Sequence, residues 1–284
     1  MSLESLDSLL RTFRRQLLLT RVLRIGGLLA MVGLTVWMPQ QPEPASKRLV
    51  LMVGTAAILS WVAILMNAAR TSREVRTGSI LLHTGQLDDA EVWFRRVMSQ
   101  VSISTRNRLV ACQHMASLLL HRDAHQKVVA ICRELLRHRL NRLRSVWIST
   151  RLMLADSLLR LDRVGEAYDA FRPVYEMPLS LSDRMKLLPI QLRYELASDH
   201  SASAVQSLPE KIKIAELLDS STAALVHALL AEACRRESLM PQCRFLTERA
   251  SLYSDLPELA QRHQVIAPIA VQHGDGRADV ASAG

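Results

Sequence analysis

The feature that most constrains this chain is a run of twenty-one residues without a formal charge, LVLMVGTAAILSWVAILMNAA, from Leu49 to Ala69. As an α-helix it would measure roughly 31 Å, which matches the thickness of a bilayer's hydrocarbon core. The sequence predicts a membrane-spanning helix here.

A second uncharged stretch precedes it, from Ile25 to Pro42, with its apolar part IGGLLAMVGLTVWM ending at Met38. Those fourteen residues give only about 21 Å of helix, so a crossing needs Val22, Leu23 and the flank 39–42 as well. The alternatives are a signal-peptide core or an interfacial helix. Against cleavage, no A-x-A site follows and the next apolar segment begins ten residues later. A helical hairpin is therefore expected, turning through PQQPEPASKR, where Pro39, Pro42 and Pro44 cannot continue a helix. Trp37 and Trp61 suit the interfaces, although Trp61 falls in mid-segment and suits packing equally well.

Charge orients the hairpin. Arg11, Arg14, Arg15, Arg21 and Arg24 precede the first stretch and Arg70, Arg73 and Arg76 follow the second, against Lys47 and Arg48 between them. The positive-inside rule then puts both termini, and the large C-terminal part, in the cytosol of an inner or cytoplasmic membrane. Residues 4–24 read as a basic amphipathic helix, with Leu9, Leu10, Phe13, Leu17 and Leu18 on one side, expected to lie along the inner leaflet. Cys112, Cys132, Cys234 and Cys243 stand in apolar helical stretches without metal or redox spacing, and read as buried thiols in a reducing compartment.

Beyond Arg70 amphipathic helices alternate with short polar breaks, and no strand pattern occurs. A small residue recurs with a partner twelve positions on: Gly78 with Ala90, Ala116 with Val128, Ala155 with Ala167, a poorer Leu192 with Ala204, and Ala231 with Cys243. The second members are separated by 38, 39, 37 and 39 residues. That offset brings two small side chains face to face where antiparallel helices cross. Larger residues (Leu81, Leu119, Leu158, Phe94, Phe171) fill the neighbouring holes.

The blocks TGSILLHTGQLDDAEVWFRRV (77–97) and LADSLLRLDRVGEAYDAFRPV (154–174) resemble the tetratricopeptide repeat family. The resemblance covers most of residues 73–253. It departs in its longer period, in Glu195 at an apolar position, in Cys132 and Thr247 where bulk is expected, and in Pro173, Pro189 and Pro209 inside expected helices. A HEAT-like or generic α-solenoid is the alternative. The resemblance implies a concave groove that receives a peptide or a partner's helix, lined here by Ser79, His83, Gln113, Ser117, Asp156, Arg160, Glu232 and Arg236. Val75 and Ser79 replace the Lys and Asn of the family's chaperone-tail clamp, so that ligand is not implied.

The whole is expected to be all-α: an amphipathic helix (1–24), a transmembrane hairpin (25–69, with helices about 25–42 and 49–69), a repeat domain of about five helical hairpins (70–266) and a disordered tail (267–284). A net charge of +9 favours anionic partners. The densest basic run, CRELLRHRLNRLR, offers Arg133, Arg137, Arg139, Arg142 and Arg144, read either as a solvated helix end or as a contact to lipid head groups. Without interleaved aromatics for base stacking, nucleic acid is the runner-up. No phosphate loop, nucleophile elbow or metal-binding helix motif is present, and His121 and His125, four apart, straddle a polar break. The expectation is a non-catalytic membrane-anchored adaptor without cofactor or metal, recruiting a protein or peptide partner, with self-assembly of the repeat surface as a further alternative.

Overall fold

The computed structural model describes residues 3–37, 43–100, 104–138, 140 and 143–271, and among them every regular element is a helix. The turn prolines Pro39 and Pro42, the basic residues Arg139 and Arg142, and residues 272–284 of the expected tail lie outside the described residues, while 267–271 are helical. Two compact units divide the chain, Met1–Val146 and Trp147–Gly284.

Unit 1 holds α1 (Leu3–Trp37), α2 (Glu43–His83), α3 (Leu87–Ser99), α4 (Thr105–His121) and α5 (His125–Leu136). The amphipathic segment does not end where the apolar stretch begins, since α1 runs unbroken through both. Its buried seam is Leu6, Leu10, Phe13, Leu17 and Thr20, at alternating intervals of four and three that keep one stripe facing a partner. That stripe packs on α3 and α5. The side expected to lie along the leaflet is divided: Leu10, Phe13 and Leu17 are buried within the protein, while Leu18 and Leu19 remain exposed.

Equally, α2 does not pause between the apolar stretch and the first repeat. Glu43–His83 is a single helix of 41 residues, in which Pro44 sits in the first turn, where its missing N–H leaves no bond unmade. By length and composition its part from Met52 to His83 can cross a membrane, and none of its most apolar window is buried within the protein.

Five helical hairpins follow the spacing of the small residues, and all ten of those residues are buried. Five non-helical links share one backbone turn. Gly85, Asp123, Asp162, Asp199 and Ser238 all have positive φ, between 52° and 79°. In each turn the next residue's N–H reaches back five positions along the chain. Gln86 donates to Leu81 O (2.9 Å), Ala124 to Leu119 O (3.0 Å), Arg163 to Leu158 O (2.9 Å), His200 to Glu195 O (2.7 Å) and Leu239 to Cys234 O (2.8 Å). This is a Schellman closure, which satisfies carbonyls orphaned at the helix end. It repeats at the same 38, 39, 37 and 39 residue intervals as the small residues. Two independent signals, side-chain size and backbone turn, therefore mark one period.

Unit 2 comprises most of α6 (Arg144–Arg160), then α7 (Val164–Tyr175), α8 (Leu181–Ala197), α9 (Ser201–Val205), α10 (Leu208–Ala215), α11 (Ser220–Arg236), α12 (Met240–Tyr253), α13 (Leu256–Arg262) and a 3₁₀ turn at Gln264–Ile266. Every residue of α11 from Ala223 to Cys234 is buried, so this helix is apolar nearly all round and forms the unit's core. It packs on α8, α9, α10 and α12. Glu195, the charge at an apolar repeat position, is held by Gln191 Nε2 (2.7 Å to Oε1) and faces Lys211 Nζ at 3.7 Å. Helices α7 and α8 continue through Pro173 and Pro189. Pro209, in contrast to the expectation, opens α10 instead of interrupting a helix.

Candidate functional site

The start of α4 ties both long helices to unit 1 through two adjacent residues. Asn107 Nδ2 donates to Ala68 O (3.2 Å) and Thr71 Oγ1 (3.1 Å) of α2. Arg108, with no exposed surface, donates from Nη1 to Thr20 Oγ1 of α1 (3.2 Å) and from Nη2 to Gln100 O (2.7 Å). Burial without a carboxylate partner lowers the Arg108 pKa. Thr20 lies five residues before the apolar part of α1 begins at Ile25, and Thr71 two residues after that of α2 ends at Ala69. The same pair thus grips α1 and α2 at corresponding levels. Sequence reasoning missed this clasp, because a lone Asn-Arg pair at a helix start looks like solvated surface.

Beside the clasp, an open cleft of about 910 Å³ runs between α2 and α3. On the α2 side Ala63, Met66, Asn67, Arg70, Arg73, Glu74 and Thr77 recur at three- and four-residue spacing, so they share one face of the helix. From α3 come Trp93 and Arg96, with the guanidinium 5.7 Å from the indole centre. Glu74 is buried and holds Arg70 Nε at 3.4 Å and Arg96 Nε at 3.6 Å. Arg73 is exposed and makes no ion pair among the described residues. Two arginines therefore face one carboxylate, and a third, Arg73, lines the same cleft at the end of the apolar stretch. Of these, Arg70 and Arg73 were read in sequence only as orienting charges, and Arg96 and Glu74 were not singled out.

The basic run on α5 is organised by its single acid. Glu134 is nearly fully buried and accepts from Arg14 Nε of α1 at 2.7 Å, while Arg14 Nη2 bonds its second oxygen. Arg137 Nη1 (3.2 Å) and His138 Nε2 (3.6 Å) complete the cluster. Burial pushes the carboxyl up, but the Arg14 hydrogen bond and the surrounding cations outweigh it and hold the pKa below its ordinary value. Arg133, Arg137 and Arg144 are exposed.

The expected groove residues divide between the units. In unit 1, Ser79, Gln113 and Ser117 are half-buried and His83 is exposed. His83 lies close enough to His114 of α4 to reinforce the lowering of its pKa by burial. In unit 2, Asp156 is paired with Arg193, and Arg160 donates to Arg262 O and approaches His263 Nε2 at 3.3 Å. Glu232 has no exposed surface. It is bonded by Arg235 (2.8 Å) and Arg236 (2.9 Å), so it positions these arginines and cannot itself touch a partner. Arg236 also donates to Leu196 O at 2.9 Å.

His121 and His125 belong to different helices, and the four cysteines are free and buried, with burial raising the pKa of each. The fold defines an all-helical protein built of repeating hairpins, with one helix able to span a membrane. Comparison with known families, characterised proteins and solved structures finds no match for the chain.

Proposed function

We propose that this chain is a membrane-anchored adaptor. The apolar parts of α1 and α2 form a two-helix hairpin in an inner or cytoplasmic membrane, with both termini in the cytosol. The hairpins that follow form a tetratricopeptide-like domain, whose groove holds a protein or peptide partner without catalysis. The observation that carries the reading is the clasp of Asn107 and Arg108, which grips α1 and α2 at the levels where their apolar stretches begin and end. Two helices tied to the start of one element at those levels could enter the membrane together, as a hairpin requires. The eight arginines flanking the two stretches favour the cytosolic placement. Anchoring would raise the effective concentration of the domain toward partners in the same membrane.

Alkaline carbonate washing of membranes, combined with thiol labelling of Ser46→Cys and Ser282→Cys variants in intact cells, tests the anchor. The expected result is a protein that stays in the pellet, labelled at position 46 and protected at 282. Release into the supernatant, or the reverse labelling, would overturn it. Crosslinking from native membranes with the full chain and with His83→Glu tests the adaptor role: a specific protein captured by the first and lost by the second is expected. Equal capture by both would remove the groove from the proposal.

A further inference from the structure

The cleft between α2 and α3 combines two kinds of wall. Along α2, Met66 belongs to the apolar stretch, and one turn further Arg70 begins the basic collar. An acyl chain matches the first wall and a phosphate the second, and only a molecule with both parts fits the whole cleft. We infer that this cleft binds an anionic glycerophospholipid, its phosphate held by Arg70, Arg73 and Arg96 and its acyl chain lying along Met66 on α2.

Charge supports this occupant. Glu74 orients Arg70 and Arg96 but offsets only one of the three positive charges, which leaves the cleft cationic in a place where lipid phosphate is concentrated. Arginine suits phosphate because its planar fork donates two parallel hydrogen bonds. Trp93 supplies an amphipathic ring at the same level, half-buried beside Arg96, as expected where head groups meet hydrocarbon. A free phosphate ion would satisfy the arginines and leave the apolar wall wet, so the lipid is the better match.

The inference rests on the membrane reading, and its test separates the two. The full chain is reconstituted in phosphatidylcholine nanodiscs containing a minority of phosphatidylglycerol. Retained lipid is then counted by native mass spectrometry for the unmodified chain, Arg73→Gln, Arg96→Gln and the distant control Arg172→Gln. Phosphatidylglycerol should be enriched over its share in the disc, and Arg73→Gln should lower that enrichment about fivefold. Arg172→Gln should not change it, and added sodium phosphate should not displace the lipid. If Arg96→Gln loses helix content, Arg73→Gln decides, because Arg73 supports no ion pair among the described residues. Proportional retention of both lipids, no effect of Arg73→Gln, an equal loss with Arg172→Gln, or displacement by phosphate would each overturn the site while the anchor stands. A chain that fails to enter the discs would overturn both.

Discussion

Gly78 of α2 and Phe94 of α3 approach so closely that a Cβ on residue 78 would stand 2.7 Å from Phe94 Cε1. Phe94 is fully buried and stacks on His114 of α4, with ring centres 5.4 Å apart, so it has little room to yield. The first small residue of the repeat is therefore required to be small. Gly78→Ala should destabilise unit 1 by about 1–3 kcal/mol through overpacking, despite Ala's better helix propensity. Thermal unfolding of the full chain in detergent checks this. The double variant with Phe94→Leu should lose less than the sum of the two single changes.

The five left-handed turn residues make a second prediction. Only Gly85 adopts positive φ without steric cost, while Asp162 tolerates it as a short polar residue. Asp162→Gly should leave stability unchanged or raise it, and Asp162→Val should lower it by about 1–2 kcal/mol. Denaturant midpoints of the two variants should fall on opposite sides, or at least in that order. A Val variant as stable as the Gly variant would contradict the shared turn.

Glu134 keeps its charge inside unit 1 because Arg14 reaches it from 120 residues away. Arg14→Met should cost about 2 kcal/mol, less than for a fully buried pair because Arg14 is half exposed. Hydrogen exchange should quicken first in α1 and α5. Since the carboxyl's folded pKa lies below its ordinary value of 4.5, its contribution is complete above that pH and fades as pH falls through the folded value.

Acid should loosen unit 2 by a different route. His227 is fully buried with neither ring nitrogen hydrogen-bonded among the described residues, and burial followed by Arg249 lowers its pKa. His263 is pushed down to about 3, by burial first and then by Arg160, Arg193 and Arg262. An unfolded chain takes up these protons near pH 6.5, and the folded one resists. Stability is therefore full above about 6.5 and declines below it, by up to about 1.4 kcal/mol per pH unit for each histidine until its folded pKa is reached. His227→Leu should flatten the fall in unfolding midpoint between about pH 6.5 and pH 4. An unchanged slope would clear His227 of the effect.

What the sequence disclosed was the local part of the design. Residue size at a twelve-position offset picked out ten residues that are all buried and that share the period of the turns, because both follow from side chains close in the chain. The long-range part was hidden. Arg108 carries nothing in its neighbourhood to show that it is buried against Thr20, 88 residues earlier. The seam of α1 was legible as apolar, but not what it packs on, since lipid and a protein surface select the same residues. Asp123, Asp162 and Asp199 close first helices at positive φ, a role that an aspartate, unlike a glycine, does not announce. Glu232 was assigned to a groove by family position alone, whereas its burial follows from the surrounding alanines of α11.

The unbroken course of α2 has a mechanical consequence. At 1.5 Å per residue it is a shaft of roughly 60 Å with no joint between its oily half and the first hairpin. A domain on a pliable leash tumbles whatever the leash is attached to, but one carried on a shaft turns with it. Were the oily half embedded in a bilayer as proposed, any tilt imposed by a thinner or thicker membrane would reach the first hairpin as a rotation, and its angle of presentation would become a property of the lipid.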